Sequence, residues 1–256
     1  MSRHSWEKLH HIPIAFCCVM ILAMFVPVII AIVNGHVSPY VPYISEGGGY
    51  FPEAGIFTLF IVIASFLCLC ATSMRYFVVE DKSNKKGNDL DVFINKISLT
   101  LGIISNVSIV ILASFPTTAI SQMHNTAAGI TCVCIVLYMI FQAWISLRLR
   151  ETTTVSRMRL VIAILSVIFL ILLGVFGVIA SSLWTAKYWS GDKTPSDEGF
   201  IPYLVSACSE WILAILYLLF FISYVTEFKK YTIHFTIESK EANRPRLAFI
   251  TQSRTC

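Results

Sequence analysis

Four side chains are of types that could do chemistry where water is scarce: Glu53, Asn106, His124 and Glu210. A histidine beside a carboxylate titrates between about pH 5 and 8. Two acids, an imidazole and an amide gathered in one buried polar cluster would form a proton sensor or a pocket for a polar head group. The simpler reading is a satisfied hydrogen-bond set that fixes helix register, because polar pairs also hold membrane helices together. Catalysis finds little support. The sequence has no Gly-x-Ser-x-Gly elbow, no His-Glu-x-x-His, no glycine-rich phosphate loop and no second histidine spaced for zinc, so no catalytic residue and no cofactor is expected. Cys68-x-Cys70 and Cys132-x-Cys134 have metal-like spacing but no further ligands, and read as small packing residues.

These residues lie in an unusually apolar chain. Of 256 residues, 56% are hydrophobic and 13% charged, which excludes a water-soluble globule. Six stretches of about 20 apolar residues, near 12–34, 54–74, 97–116, 125–147, 160–184 and 202–225, are each long enough to cross a bilayer as a helix. The expected fold is therefore an all-α membrane protein, a six-transmembrane-helix bundle. A segment of residues 1–11 precedes the 12–225 bundle and a polar tail of 226–256, expected to be disordered, follows it. Of the 19 Lys and Arg, only Lys187 and Lys193 fall on one side of this arrangement and 17 on the other. The positive-inside rule then predicts both termini cytosolic. The net charge of +4 reports topology, and no nucleic-acid partner is implied. Membrane lipids and membrane or cytosolic proteins are the expected partners.

Glu210 sits deep in its span. About eight residues from Pro202, it lies roughly 12 Å from the helix end, well inside a hydrocarbon layer of about 30 Å. Helical spacing puts Ser206, Ala207, Glu210, Ala214, Tyr217 and Tyr224 on one side, with Leu204, Ile212, Ile215, Leu216 and Leu219 left for lipid. Asn106, about ten residues before Pro116, has a similar depth, so the two could meet. Its Asn-Val-Ser triplet lies within a span and should carry no glycan. The third span has a small and polar face of Ser98, Gly102, Ser105, Asn106 and Ala113, and the fifth has Ser166, Gly174, Gly177 and Ser181 at packing intervals. On the fourth, His124, Ala128, Thr131, Tyr138 and Gln142 share a face. Pro27 should kink the first span. Glu53 falls in the first turn of the second, where a carboxylate suits the helix dipole. Residues 36–53, dense in Pro, Gly and aromatics, read as a loop lying at the interface, and the charged residues 80–91 as a solvated connection. Trp184, Tyr188 and Trp189 form an aromatic belt before Asp192, Asp197 and Glu198. No disulfide framework is indicated, since seven of the eight cysteines fall within spans.

The loop Pro42-Tyr43-Ile44-Ser45-Glu46-Gly47, leading to Pro52-Glu53-Ala54-Gly55-Ile56-Phe57, resembles a signature of the damage-regulated autophagy modulator (DRAM) family. Glu46 stands where an aspartate is usual. Arg75-Tyr76, Ala113-Ser114-Phe115 followed by His124 and Gly129, Glu210-Trp211, and Tyr224-Val-Thr-Glu227-Phe228 resemble further landmarks in the same order, over about residues 13–230. The resemblance implies a six-helix endomembrane protein, typically lysosomal, that promotes autophagy and sometimes apoptosis without enzymatic activity. The wider superfamily of Frag, DRAM and Sfk proteins adds an alternative: a plasma-membrane or Golgi protein that influences phospholipid or phosphoinositide distribution.

Overall fold

The computed structural model describes residues 2–87, 89–149, 151–184 and 193–237. Lys187, Tyr188, Trp189, Asp192 and the tail from 238 through Cys256 lie outside the described residues. Six long helices account for most of the chain: α1 (His11–Val33), α2 (Glu53–Lys86), α3 (Asp89–Ser114), α4 (Ser121–Arg148), α5 (Thr153–Leu183) and α6 (Phe200–Ile222). All six are long and apolar enough to span a bilayer. A short α7 (Val225–Phe228) follows.

Each long helix packs against the next, and α1 also packs against α6, so the rods close in sequence order. Short connections force this for the α2–α3, α3–α4 and α4–α5 neighbours. Small residues set the closest approach: a Cβ on Gly102 would stand 2.7 Å from Cγ2 of Thr72, so α3 can lie this near α2 only with glycine there. The small face of α3 is buried along its length, from Ser98 to Ala113. On α5 the packing reading holds for Ser166 and Gly177. Gly174 faces open space and Ser181 is exposed. Between the helices an aromatic seam fills the half away from the α1–α2 loop. Phe16, Tyr217 and Phe221 stack there with Tyr138 and Tyr224. Ile215 and Leu219 of α6 face outward as expected, but Leu216 turns into this core.

Two boundaries differ from the sequence reading. Residues 80–86 are not a solvated loop but the last two turns of α2, which ends at Gly87 in the left-handed conformation (φ 62°). Tyr76 donates to Glu80 at 2.8 Å and Lys85 pairs with Asp81 at 2.7 Å, both four residues apart, so the charged run supports the helix it was taken to end. Pro27 lies inside α1, with the helix assigned on both sides of it. The chain beyond α6 is not wholly irregular either: β2 (Ile233–Ile237) pairs antiparallel with β1 (Ser2–Trp6), Trp6 opposite Ile233. This ribbon puts both ends of the described chain on one end of the bundle, the end that carries most of the Lys and Arg.

Candidate functional site: two buried polar layers

The four expected cluster residues do not form one cluster. No hydrogen bond among the described residues joins any two of them; each is engaged separately. Glu53, fully buried, accepts from Asn34 Nδ2 at 2.7 Å and faces His36 Nδ1 at 3.0 Å through the same oxygen, Oε1. Asn106 donates to the Gly102 carbonyl one turn back at 2.8 Å and accepts from Ser65 on α2 at 3.2 Å. His124 turns Nδ1 to the carbonyls of Leu112 and Phe115, at 3.1 and 2.9 Å, and so closes the end of α3. Glu210 accepts from the backbone N–H of Ile44 at 2.7 Å. The histidine that does stand beside a carboxylate is His36, whose ring also packs on Tyr50 at 5.1 Å.

Glu210 belongs to a layer at the α1–α2 loop end. There residues 34–52 fold back onto the bundle instead of lying flat. α6 holds the loop with two adjacent side chains: Glu210 takes the Ile44 N–H, and Trp211 Nε1 donates to the Pro42 carbonyl at 2.8 Å. Just before these anchors Val41 adopts φ 31°, a left-handed conformation that a β-branched residue holds only when its surroundings impose it. A 3-10 turn at Glu46–Gly48 then buries its carboxylate. Glu46 accepts from Tyr203 OH at 2.6 Å and from the Tyr43 N–H at 3.2 Å, and forms an ion pair with Lys193 from the α5–α6 connection. Lys193 sits 4.1 Å above the Tyr203 ring. Burial pulls the Lys193 ammonium below its ordinary pKa, an effect Glu46 offsets only in part. The glycines after Glu46 permit this close fit, since a Cβ on Gly48 would meet the Phe57 ring at 2.6 Å.

The second layer, at the basic end, was not foreseen as a site. Arg75 of α2 and Arg159 of α5 are both fully buried. Arg75 lies roughly 33 Å along α2 from Glu53, about where hydrocarbon gives way to head groups. It donates through Nε to Gln142 (2.8 Å), through Nη2 to Ser146 (3.1 Å) and through Nη1 to Glu151 (2.9 Å) and Glu227. Arg159 meets the same two acids from the other side. It reaches Glu151 at 2.6 Å and Glu227 at 3.3 Å, and bonds Ser223 Oγ and Ser146 Oγ at 2.8 Å each. Lys82 closes the network on both carboxylates. Tyr224 stands between the guanidinium groups, 5.3 Å from Arg75 and 4.7 Å from Arg159, and its hydroxyl meets that of Tyr138 at 3.0 Å. Burial alone would push the Glu151 carboxyl up, but Arg75, Arg159 and Lys82 more than reverse this and hold it well below the usual range. One network thus ties α2, α4, α5, α7 and the turn that follows α6 together.

A family model described as the Frag1/DRAM/Sfk1/Cwh43P N-terminal domain matches residues 8–231, which include all the residues of both layers. The chain belongs to this family. It is 30% identical over 216 residues to "DNA damage-regulated autophagy modulator protein 1" of Xenopus laevis, a match covering 83% of this chain and 87% of the relative. The human protein of that name is 28% identical over 219 residues, covering 84% and 89%. Human "DNA damage-regulated autophagy modulator protein 2" is 27% identical over 214 residues, covering 80% and 78%. No solved structure matches.

In this Frag1/DRAM/Sfk1/Cwh43P family member, most of the stretches that carried the resemblance help build the layers. The 42–47 loop supplies Glu46, the 52–57 stretch Glu53, and Glu210-Trp211 the loop anchors. Arg75 and Glu227 supply the basic end. The sequence reading missed Lys82, Glu151 and Arg159 because Lys and Arg served there only as signs of topology. A usable signal was present in Arg159: it lies six residues into α5 and is followed at once by an apolar run, which makes a buried partner the natural expectation.

Proposed function

We propose that this multi-pass membrane protein modulates autophagy, with a link to apoptosis, as a non-catalytic protein of the lysosomal membrane. The observation that carries the reading is the likeness to autophagy modulator proteins along more than four-fifths of the chain. The basic end faces the cytosol with both termini, and the layer holding Glu46 and Glu210 faces the lumen; the distribution of Lys and Arg supports this orientation. In this reading the lumenal layer presents a folded loop held by an ion pair, and the cytosolic layer locks the helices against which partner proteins dock. Support for a role without turnover comes from Glu210, His124 and Glu151, which are spent on backbone groups and on arginine rather than left as a nucleophile beside a base. Membrane lipids and membrane or cytosolic proteins are its partners, with no nucleic acid and no cofactor.

The test is autophagic flux in knockout cells, read as lysosome-dependent turnover of autophagosome markers under starvation and under genotoxic stress. Flux falls if the reading is right, and unchanged flux under both stresses rejects it. A tagged protein located at the plasma membrane or Golgi rather than the lysosome would favour the second reading, an influence on phospholipid or phosphoinositide distribution. The observation that favours this alternative is Glu210, an acid at bilayer depth that is only half-buried by protein.

A further inference from the structure

The basic end carries a groove that neither layer uses. It encloses about 520 Å³, within the range of about 300–1,000 Å³ typical of small-molecule sites, and is walled by Met74, Phe77 and Val78 of α2 and by Phe228, Tyr231 and Ile233 of the C-terminal segment. Its place along α2 is informative. The outward stripe of that helix is apolar through Phe66 (65% exposed) and Phe77 (56% exposed), then becomes charged one turn later at Asp81 and Lys85, both also in the groove wall. Met74 lies roughly 31 Å along α2 from Glu53, so the groove starts where hydrocarbon ends. Its lower rim therefore opens toward acyl chains and its upper rim toward head groups.

The charge around the upper rim has one sign in excess. Lys85 is largely exposed, and Lys82 approaches the Tyr231 ring at 6.0 Å. Lys8 precedes the groove residue Leu9, and Lys229 and Lys230 lie between Phe228 and Tyr231; all three are exposed. Against these stand Asp81, paired with Lys85, and Glu7, exposed beside Lys8, while Lys82 is held by Glu151 and Glu227; Lys8, Lys85, Lys229 and Lys230 still outnumber the two acids. An apolar slot continuous with a lipid-facing helix, with lysines at head-group level, matches the two ends of one kind of molecule.

We infer that this groove binds an anionic glycerophospholipid of the adjacent leaflet, with one acyl chain between α2 and residues 228–233 and the phosphate among Lys8, Lys85 and Lys229. The occupant bridges α2 to the segment that follows Glu227, so it reinforces the basic-end network from outside. Binding of this kind requires neither the autophagy reading nor the lipid-distribution reading, and it is measured on purified protein.

The full chain is purified into nanodiscs holding equal amounts of phosphatidylserine and phosphatidylcholine, released into the gas phase, and weighed with the lipid it retains. Phosphatidylserine should be retained several-fold over phosphatidylcholine. Thr232→Trp, at an exposed wall position, fills the slot and should cut retained lipid to a third or less with the melting temperature unchanged. Lys85→Glu should lower the preference for phosphatidylserine at least about fivefold, since it removes one basic residue from an anionic surface and adds an acid in its place. Equal retention of the two lipids by the parent overturns the inference, as does a stable Thr232→Trp that keeps its lipid. If Thr232→Trp is unstable, Lys85→Glu decides: an unchanged preference rejects the site.

Discussion

The two polar layers solve the same problem, placing charge inside an apolar bundle, in opposite ways. At the basic end two acids are shared by three cations, and Gln142, Ser146 and Ser223 take up the remaining donors, so every charge has several partners on several helices. At the loop end each acid does one local job: Glu46 holds Lys193 and Tyr203, Glu210 holds one N–H, and Glu53 holds Asn34 and His36. Redundant pairing suits a lock that must not open. Separate pairing, each acid with partners of its own, suits a loop whose parts can be released one at a time. The chain is therefore expected to have a more rigid end and a more adjustable end, set by whether its charges share partners rather than by how many charges there are.

Breaking the rigid end should have the largest effect. Arg159→Leu leaves Glu151 and Glu227 short of a buried counter-ion and should destabilise the protein by about 3–5 kcal/mol, seen as loss of folded, monodisperse protein. A loss below about 1 kcal/mol would show that Lys82 and Arg75 suffice, and that the network is less cooperative than its geometry implies. Glu46→Gln comes next. Glutamine keeps an acceptor for Tyr203 but leaves Lys193 buried without its charge partner, a cost of about 1.5–3 kcal/mol. Hydrogen exchange should then quicken across the 34–52 loop while α2 and α5 near Arg75 and Arg159 stay protected. Spread of the exchange to the basic end would erase the distinction between the layers.

Smaller effects test the single hydrogen bond of Glu210. Glu210→Gln retains an acceptor for the Ile44 N–H and should unfold with the parent, whereas Glu210→Ala should lose about 1–2 kcal/mol. Equal melting of all three proteins would mean the bond contributes nothing. The smallest change is expected from mild acid at the basic end. Because the Glu151 carboxyl is held below its ordinary pKa, its stabilisation is complete above the unfolded value of about 4.3 and is lost only as pH falls from there toward the folded value. The difference in melting temperature between the parent and Glu151→Gln should thus be the same at pH 7 and pH 5 and shrink in stronger acid. A difference that halves between pH 7 and 5 would show that the arginines do not hold this acid ionised.

Much of this architecture was legible in the residues. The six spans, the small face of α3 and the inward turn of Ser206 and Ala207 followed from apolar run length and helical period. The end of α2 did not, because hydropathy stops reporting once a helix leaves hydrocarbon, and only the Tyr76–Glu80 and Asp81–Lys85 pairs betrayed the extra turns. The polar cluster was half-read. Glu53, Asn106 and His124 are buried as expected and Glu210 half so, yet they do not meet. Similar depth is a weaker constraint than similar direction: each residue along a helix turns its side chain by about 100°, so two groups at one level can face different neighbours. His124 illustrates this, for its depth was right and its partners were the last carbonyls of α3.

What the sequence determined by itself was the number of rods, their approximate lengths and the sorting of basic residues to one end. In a bilayer every backbone amide must be satisfied within its own helix, which leaves composition little freedom. Only the tertiary structure decided the pairings: that Glu210 would hold a loop backbone, that Glu46 would find Lys193 across a separation of 147 residues, and that two arginines would share two acids. Those choices depend on helix rotation and loop path. Both are fixed by packing among all six helices at once, and no local stretch of sequence contains them.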